Sequence, residues 1–434
     1  MTPIETAFPG HRSADAIVGD SLPEPRSPFG ALRLPSTILF GSGQRRIAGA
    51  VTRRLGKRAL VCTDARLAQT AEFSELMADL RAAGAEAHIY SETIADLPIG
   101  SIQDCFDKAR GFDADVVIGI GGGSCMDLAK VIAVLLTHGG DVRDYYGEFA
   151  VPGPVMPIVA IPTTAGTGSE VTPVAVIADS ERGAKIGIAS PYLIPNTAIC
   201  DPELTVTCPP GLTACSGADA LTHAVEAFTS IERQPEPTLT EAHVFIGKNL
   251  LTDHFAKLAV VNAFKYLERA YRDGSDLEAR EGMMLAALAA GCAFGTAGTA
   301  AAHALQYPVG NLTHTAHGDG VAALLPFVMQ FNRTARTVAF AELARLVGVG
   351  KAGDDEDALA QAFIDAATAL IGAVGIPRSL AELGLKEDQQ DAVAAGGLNA
   401  QRLVKNNPRP LDLGAMQRIT RAAFAGDRAA LANV

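Results

Sequence analysis

Residues 115–130 read DVVIGIGGGSCMDLAK, and this stretch decides the fold. An apolar run ends in three consecutive glycines, and residues with helical spacing follow at once. A buried strand that passes through glycines into a helix is the βα turn of an open α/β sheet. Gly121, Gly122 and Gly123 have no Cβ, so a ligand can approach their backbone N–H groups closely. Ser124 is placed to cap the helix, with Asp127 three residues on in a capping-box-like position. Free N–H groups and the helix dipole at such a point attract phosphate. The generic GxGxxG string is absent from its usual place after the first strand, so a tight βα turn with nothing bound fits these residues as well.

Working outward, the same alternation continues on both sides. STILFGSG, KRALVCTD and AEAHIY read as strands, and residues 64–84 and 102–113 between them have helical spacing. PVMPIVAIPTTAGTGSE adds a strand and a second turn rich in glycine and hydroxyl groups. There Thr163, Thr164, Thr167 and Ser169 are candidate donors to phosphate or ribose oxygens. TPVAVIAD, AKIGIAS and TAICDPE read as short strands that close this half. Ligands of such sheets sit beyond the carboxyl ends of the strands, where both glycine-rich turns fall. Asp64 ends the strand ALVCTD. A carboxylate there accepts from ribose hydroxyls and repels a 2′-phosphate, which favours NAD over NADP. It reads equally as an N-cap for the helix that follows.

Residues 34–205 are therefore expected to form an α/β dinucleotide-binding domain with a Rossmann-like parallel sheet. Residues 206–434 are helical nearly throughout by pattern, with Gly or Pro at the segment ends, and are expected to form a second, all-helical domain. Residues 1–33, rich in Pro, Ser, Gly and charge, read as a poorly ordered extension or an arm on another subunit. Composition narrows the function. The chain of 434 residues is 48% hydrophobic with a net charge of −12 and no long basic run, which argues against a nucleic-acid surface or a membrane-binding helix. No apolar run has the length of a membrane span. Its seven scattered Cys lack a CxxC pair and suit a reduced, cytoplasmic protein.

The helical half carries the chemistry. In SGADALTHAVE, residues 216–226, Asp219 and His223 are four apart and share one helix face. Downstream, AAHALQYPVGNLTHTAHGDG supplies His303 and His317 across a Pro/Gly-broken loop. One Asp and three His make a mixed N/O site suited to iron or zinc. The same four also fit a surface carboxylate and ordinary core or loop histidines.

The ordered set FGSG, VCTDARL, GIGGGSCMDLAK, IPTTAGTGSEVT, DPELT, GADALTHAVEAF and AAHALQYPVGNLTHTAHG resembles the iron-containing (group III) alcohol dehydrogenase family over residues 30–425. The resemblance implies a dehydroquinate synthase-like architecture, a homodimer, and NAD(P)-linked oxidation of an alcohol or reduction of an aldehyde at a divalent metal, most often Fe²⁺. It puts Asp219, His223, His303 and His317 on the four metal-ligand positions. Relatives on the same fold include hydroxyacid-oxoacid transhydrogenases and the lyase dehydroquinate synthase. The latter needs several cations near the metal, and few stand in these motifs. Tyr307 occupies a position where many members carry a proposed proton-relay His. A tyrosine with a pKa of about 10 is a poor neutral-pH shuttle unless perturbed. His314 is a possible substitute, or an exposed loop residue. Lys185 falls where the family often has a Lys near the active site, or is a solvated strand-edge Lys. The tract around residues 241–260 is longer than the resemblance implies. Its His243 and His254 are expected to be structural or exposed.

Overall fold

The computed structural model describes residues 29–432. Among them run β1 (Thr37–Phe40), β2 (Arg58–Cys62), β3 (Glu86–Tyr90), β4 (Val116–Gly121), β5 (Gly147–Glu148), β6 (Ile158–Pro162), β7 (Val174–Asp179), β8 (Ala184–Ala189) and β9 (Thr197–Cys200). Six of these make one all-parallel sheet in the order β1-β9-β6-β4-β2-β3. Strands β4, β6 and β9 are buried along their whole length, as expected of a parallel sheet covered on both faces. Helices α1 (Ala48–Leu55) and α2 (Ala71–Ala82) cover one face, where Leu76 and Leu80 pack with Val61, Ile118 and Val159. Helices α3 (Ile99–Ala109) and α4 (Gly123–His138) cover the other, where Ile102, Leu128 and Ile132 pack with Leu60 and Val117. The chain leaves β2 outward to β3, then returns to β4 on the far side of β2. That reversal opens a crevice beyond the ends of β2 and β4, where Asp64 and the three glycines stand.

Two details depart from the sequence reading. The helical segment expected over residues 64–84 is split, because the Thr70 side chain caps α2 by accepting from the Phe73 N–H at 3.2 Å. The strands expected to close the half do not act together. β9 inserts between β1 and β6, while β7 and β8 pair antiparallel and form a small separate sheet with β5.

The remaining elements are helical: α5 (Pro210–Thr229), α6 (Leu239–Ala242), α7 (Leu250–Arg272), α8 (Leu277–Ala297), α9 (Ala301–Thr313), α10 (His317–Asn332), α11 (Thr337–Val347), α12 (Glu356–Ala373), α13 (Gln390–Gly397), α14 (Gln401–Asn406) and α15 (Leu413–Ala425). Helix α5 is buried over nearly all of its length, packed among α7, α8 and α10. No single described helix is long and apolar enough to cross a membrane. Of the extension expected over residues 1–33, residues 1–28 lie outside the described residues. Residues 29–33 are not loose. The Phe29 carbonyl accepts from the Leu250 N–H at 3.1 Å, and Arg33 donates to the carbonyls of Val244 at 2.7 Å and Thr240 at 2.6 Å.

Candidate metal centre and cofactor cleft

Asp219 and His223 sit one turn apart on α5, His303 in the first turn of α9, and His317 at the first position of α10. The Asp219 Oδ1 atom lies 3.7 Å from His223 Nε2, 3.7 Å from His303 Nε2 and 3.9 Å from His317 Nε2. The side chains of the first three are at most 6% exposed, whereas His317 is 30% exposed and forms the open edge. Asp219 Oδ1 and His303 Nε2 are buried without a hydrogen-bond partner. Polar atoms orphaned in a protein interior are costly, and two that face each other call for a cation between them. Ligand atoms of Asp219, His303 and His317 all lie within 4.8 Å of one another, while His223 falls outside that group and joins the site through its 3.7 Å approach to Asp219. Such a mixed imidazole and carboxylate set fits a divalent transition metal.

Local structure explains the convergence. Helices α8 and α9 meet at 103°, with Gly298 at φ 84° in the break. The bend turns the start of α9 toward α5, so that the N–H groups of Ala300 and Ala302 donate to the Glu226 carboxylate at 2.8 and 2.7 Å. Glu226 also pairs with His303 Nδ1 at 2.6 Å. This carboxylate holds the His303 proton on Nδ1 and leaves Nε2 to a metal. At the other junction, a Cβ on Gly318 would lie 2.2 Å from the Cys215 carbonyl, and one on Gly320 would lie 1.7 Å from Gln306 Oε1. Gly318, which meets backbone, is thus needed for α10 to bring His317 against α5 and α9, while at Gly320 the end of the Gln306 side chain would have to move. The Phe294 ring stacks on His223 at 4.1 Å and walls the site with apolar surface.

The electrostatics follow from burial and the two carboxylates. Burial alone would raise Asp219, but the three imidazoles outweigh it and hold its pKa at about 2. Burial lowers His223 to about 4 and His317 to about 3, so both are neutral near pH 7. Burial also works against a charge on His303. Glu226 and Asp219 overcome it and push this imidazole up to about 9.

A cavity of ≈ 190 Å³ runs from this quartet to the glycine turn, reaching Gly123, Ser124, Asp127, Thr167 and Ser169. The turn itself departs from the expected capping box. Gly122, extended at ψ −175°, is the N-cap of α4, and the helix starts one residue before Ser124. Ser124 Oγ instead accepts from the Asp96 N–H at 3.1 Å. Asp127 accepts from Ser169 Oγ at 2.6 Å and the Val176 N–H at 2.9 Å. Beneath them Lys130, fully buried, donates to Ser169 Oγ and the Val174 carbonyl, each at 2.8 Å. The Ser169 hydroxyl and the Asp127 carboxylate are therefore committed inside the protein. Thr163 is buried at the end of β6 and pairs through its N–H with the Gly121 carbonyl, away from the cavity. Thr164 faces Gly122, and Thr167 lines the cavity.

The second glycine-rich turn serves packing as well. A Cβ on Gly166 would lie 2.6 Å from that of Ser216, and one on Gly168, at φ 61°, would lie 2.5 Å from the Gly291 Cα. These glycines let the turn close on α5 and α8, joining the two halves. Asp64 makes the local backbone bonds that its capping reading expects. Its Oδ1 accepts from the Arg66 and Leu67 N–H groups at 2.9 and 2.8 Å. Its Oδ2 stands beside the glycine turn, 4.0 Å from Cys125 Sγ.

Of the remaining candidates, Lys185 and Tyr307 line the cavity. The Lys185 side chain is only 8% exposed and pairs with Asp96 at 2.7 Å, so it is no solvated edge residue. Asp96 and Leu97 both have positive φ, 63° and 49°, and buried Leu97 holds that strained turn in place. The Tyr307 ring is 6.5 Å from that of His317. Burial raises the pKa of its hydroxyl, opposed by the nearby Arg402. His314 is exposed, ends α9 in the left-handed conformation at φ 56°, and does not border the cavity. His254 is exposed, His243 is half-buried, and neither borders it. Sequence reasoning missed Glu226, Phe294 and Arg402. The first carried a signal: it lies seven residues after Asp219, on the same helix face.

A parallel sheet with a glycine-rich βα turn, facing a helical half that carries an Asp/His₃ quartet, fits an alcohol oxidoreductase, and the likeness to known proteins establishes that class. Residues 35–202 match the family described as iron-containing alcohol dehydrogenase, and residues 239–424 match the C-terminal part of the Fe-containing alcohol dehydrogenase family. The chain belongs to the iron-containing alcohol dehydrogenase family. It is 36% identical to long-chain-alcohol dehydrogenase 1 of Geobacillus thermodenitrificans (strain NG80-2), over 86% of this chain and 91% of that one. It is also 36% identical to the NAD-dependent methanol dehydrogenase of Bacillus methanolicus, over 87% and 95%. Among solved structures, a 1,3-propanediol oxidoreductase superposes with a TM-score of 0.85 at 34% identity, covering 91% of this chain and 99% of that one.

Proposed function

We propose that this chain is a metal-dependent, NAD-linked alcohol dehydrogenase and aldehyde reductase, with Asp219, His223, His303 and His317 as the ligands of a divalent metal, Fe²⁺ first. The observation that carries the reading is the pair of buried, unpartnered atoms, Asp219 Oδ1 and His303 Nε2, with Glu226 fixing the other His303 nitrogen. When bound, the metal supplies a Lewis acid for the substrate oxygen and NAD supplies the hydride acceptor. The chain's own part is positioning. The first turn of α4 after Gly121–Gly123 and the Thr164 and Thr167 hydroxyls bind the pyrophosphate side of the nucleotide. Asp64 Oδ2 accepts from a ribose hydroxyl and disfavours a 2′-phosphate. Phe294 excludes water from the His223 side. Burial raises the pKa of Tyr307, so its hydroxyl stays protonated at neutral pH and is no independent base. It can relay the substrate proton only by accepting it while passing its own proton on in the same step. Lys185, held by Asp96, orients the substrate at the cavity edge.

The test follows nicotinamide absorbance with anaerobically Fe²⁺-loaded protein, NAD⁺ and a panel of alcohols, alongside metal content and the His303→Ala variant. Turnover lost together with metal in the variant is the expected result. Metal and cofactor bound with no turnover of any alcohol or aldehyde would overturn the reading.

A further inference from the structure

Lys185, Tyr307 and Arg402 stand between the inner cavity and a larger outer one of ≈ 670 Å³, and line both. We propose that Arg402 is a specificity-determining residue, selecting substrates that carry a carboxylate or sulfonate at the end remote from the reacting carbon. The proposal rests on the dehydrogenase reading of the inner site. Lys185 is a neutralised cation, paired with Asp96 at 2.7 Å. Arg402 is not. Its guanidinium carbon lies 4.4 Å over the Phe245 ring, and no ion pair with a carboxylate is found for it among the described residues. Glu148, which also lines the outer cavity, accepts from the Val244 N–H at 2.9 Å and has Arg33 as its neighbouring cation.

A half-buried guanidinium held over an aromatic ring and beside the Tyr307 hydroxyl has few positions open to it and keeps donors of its planar fork for a second partner. That fork matches a planar carboxylate or a sulfonate edge and repels an ammonium group. Between Arg402 and the quartet the walls include Val174, Val176 and Phe294, suited to a short methylene chain. Arg402 comes from α14 and the quartet from α5, α9 and α10, so one molecule spanning both reads two ends of the substrate.

The test uses Fe²⁺-loaded enzyme with NAD⁺ and four alcohols: butanol, 4-hydroxybutyrate, 3-hydroxypropanesulfonate and choline. The wild type should prefer the two anionic alcohols to choline, and their ratio shows which anion fits better. Arg402→Gln should lower the ratio of kcat/KM for 4-hydroxybutyrate to that for butanol by about 10- to 100-fold, the worth of one charge-assisted hydrogen bond. Arg402→Lys should restore part of it. Calorimetric binding of butyrate to the NAD-saturated, metal-loaded protein should weaken on the same scale in Arg402→Gln. A selectivity ratio unmoved in that variant, or choline preferred by the wild type, would overturn the proposal. Failure of every alcohol, butanol included, would count against the dehydrogenase reading instead. The butyrate measurement then decides alone: binding that depends on Arg402 supports the anion site, and binding indifferent to it does not.

Discussion

Replacing Glu226 with Gln removes one charge and almost no volume, at a carboxylate that touches no substrate. Three donors converge on it: His303 Nδ1 at 2.6 Å and the N–H groups of Ala300 and Ala302 at 2.8 and 2.7 Å. A glutamine offers one acceptor oxygen and a donor N–H₂. At least one of the three donors must then face an N–H, or His303 must move its proton to Nε2, the atom a metal needs. The first outcome leaves a buried donor unpaired, at about 1–3 kcal/mol of folding stability. The second removes a ligand. Loss of the partner behind a metal-bound His typically costs about 10–100-fold in metal affinity. Competition with a chelator measures this directly. A Glu226→Gln protein that holds Fe²⁺ or Zn²⁺ within twofold of wild type would refute the reasoning.

The same geometry sets a pH dependence. In the metal-free protein His303 titrates at about 9, while His223 and His317, at about 4 and 3, are already neutral. A metal must displace the His303 proton from Nε2, so near neutral pH its binding should release about one proton and tighten about tenfold per pH unit up to pH 9. Metal-free stability runs the other way. A His pKa raised above its unfolded value of about 6.5 stabilises fully below that value, and the contribution fades as pH rises through 9. Glu226→Gln should flatten both slopes. Calorimetry in buffers of different ionisation enthalpy counts the proton, and no release at pH 7 would contradict the assignment.

Further outcomes test the rest of the site. Tyr307→Phe should lower turnover by about 10²-fold or more, the usual worth of a proton-transferring group, whereas His314→Ala should stay within twofold, both read from steady-state rates. Asp64→Ala should shift the NADP⁺ to NAD⁺ ratio of kcat/KM upward by on the order of tenfold, because the group that repels a 2′-phosphate is gone. An unchanged ratio would leave Asp64 as a cap only. Gly168→Ala should destabilise by about 2–5 kcal/mol in urea unfolding, from left-handed strain together with a Cβ driven against Gly291.

What could be read before the structure divides along a physical line. The sheet was legible because its central strands are apolar on both faces and its helices are not, so the two periods separate. The quartet was legible because Asp219 and His223 share a helix face, and because His303 and His317 are close in sequence. The Pro/Gly-broken loop expected between them is instead helix α9, which carries Pro308 inside it and stops only at Thr313. Where the reading went astray, a side chain had found its partner far along the chain. Asp127 reads as the partner of a helix cap and Ser169 as a donor to phosphate or ribose, but they bond each other, and Lys130 supports Ser169 from below. No local spacing announces that network. Gly166 and Gly168 resemble a phosphate loop, but the residues they make room for, Ser216 and Gly291, belong to the other half. His314 carries the right chemistry on a backbone that has already turned out of the helix. Arg402 is the extreme case, since nothing near it in sequence marks it, and it meets Lys185 and Tyr307 only once α14 packs beside α9, which itself packs on β8. The motifs therefore identify the family, because they recur as short local strings. Substrate choice is spread over elements that meet only in the folded chain, so it must be sought at junctions such as the one Arg402 occupies.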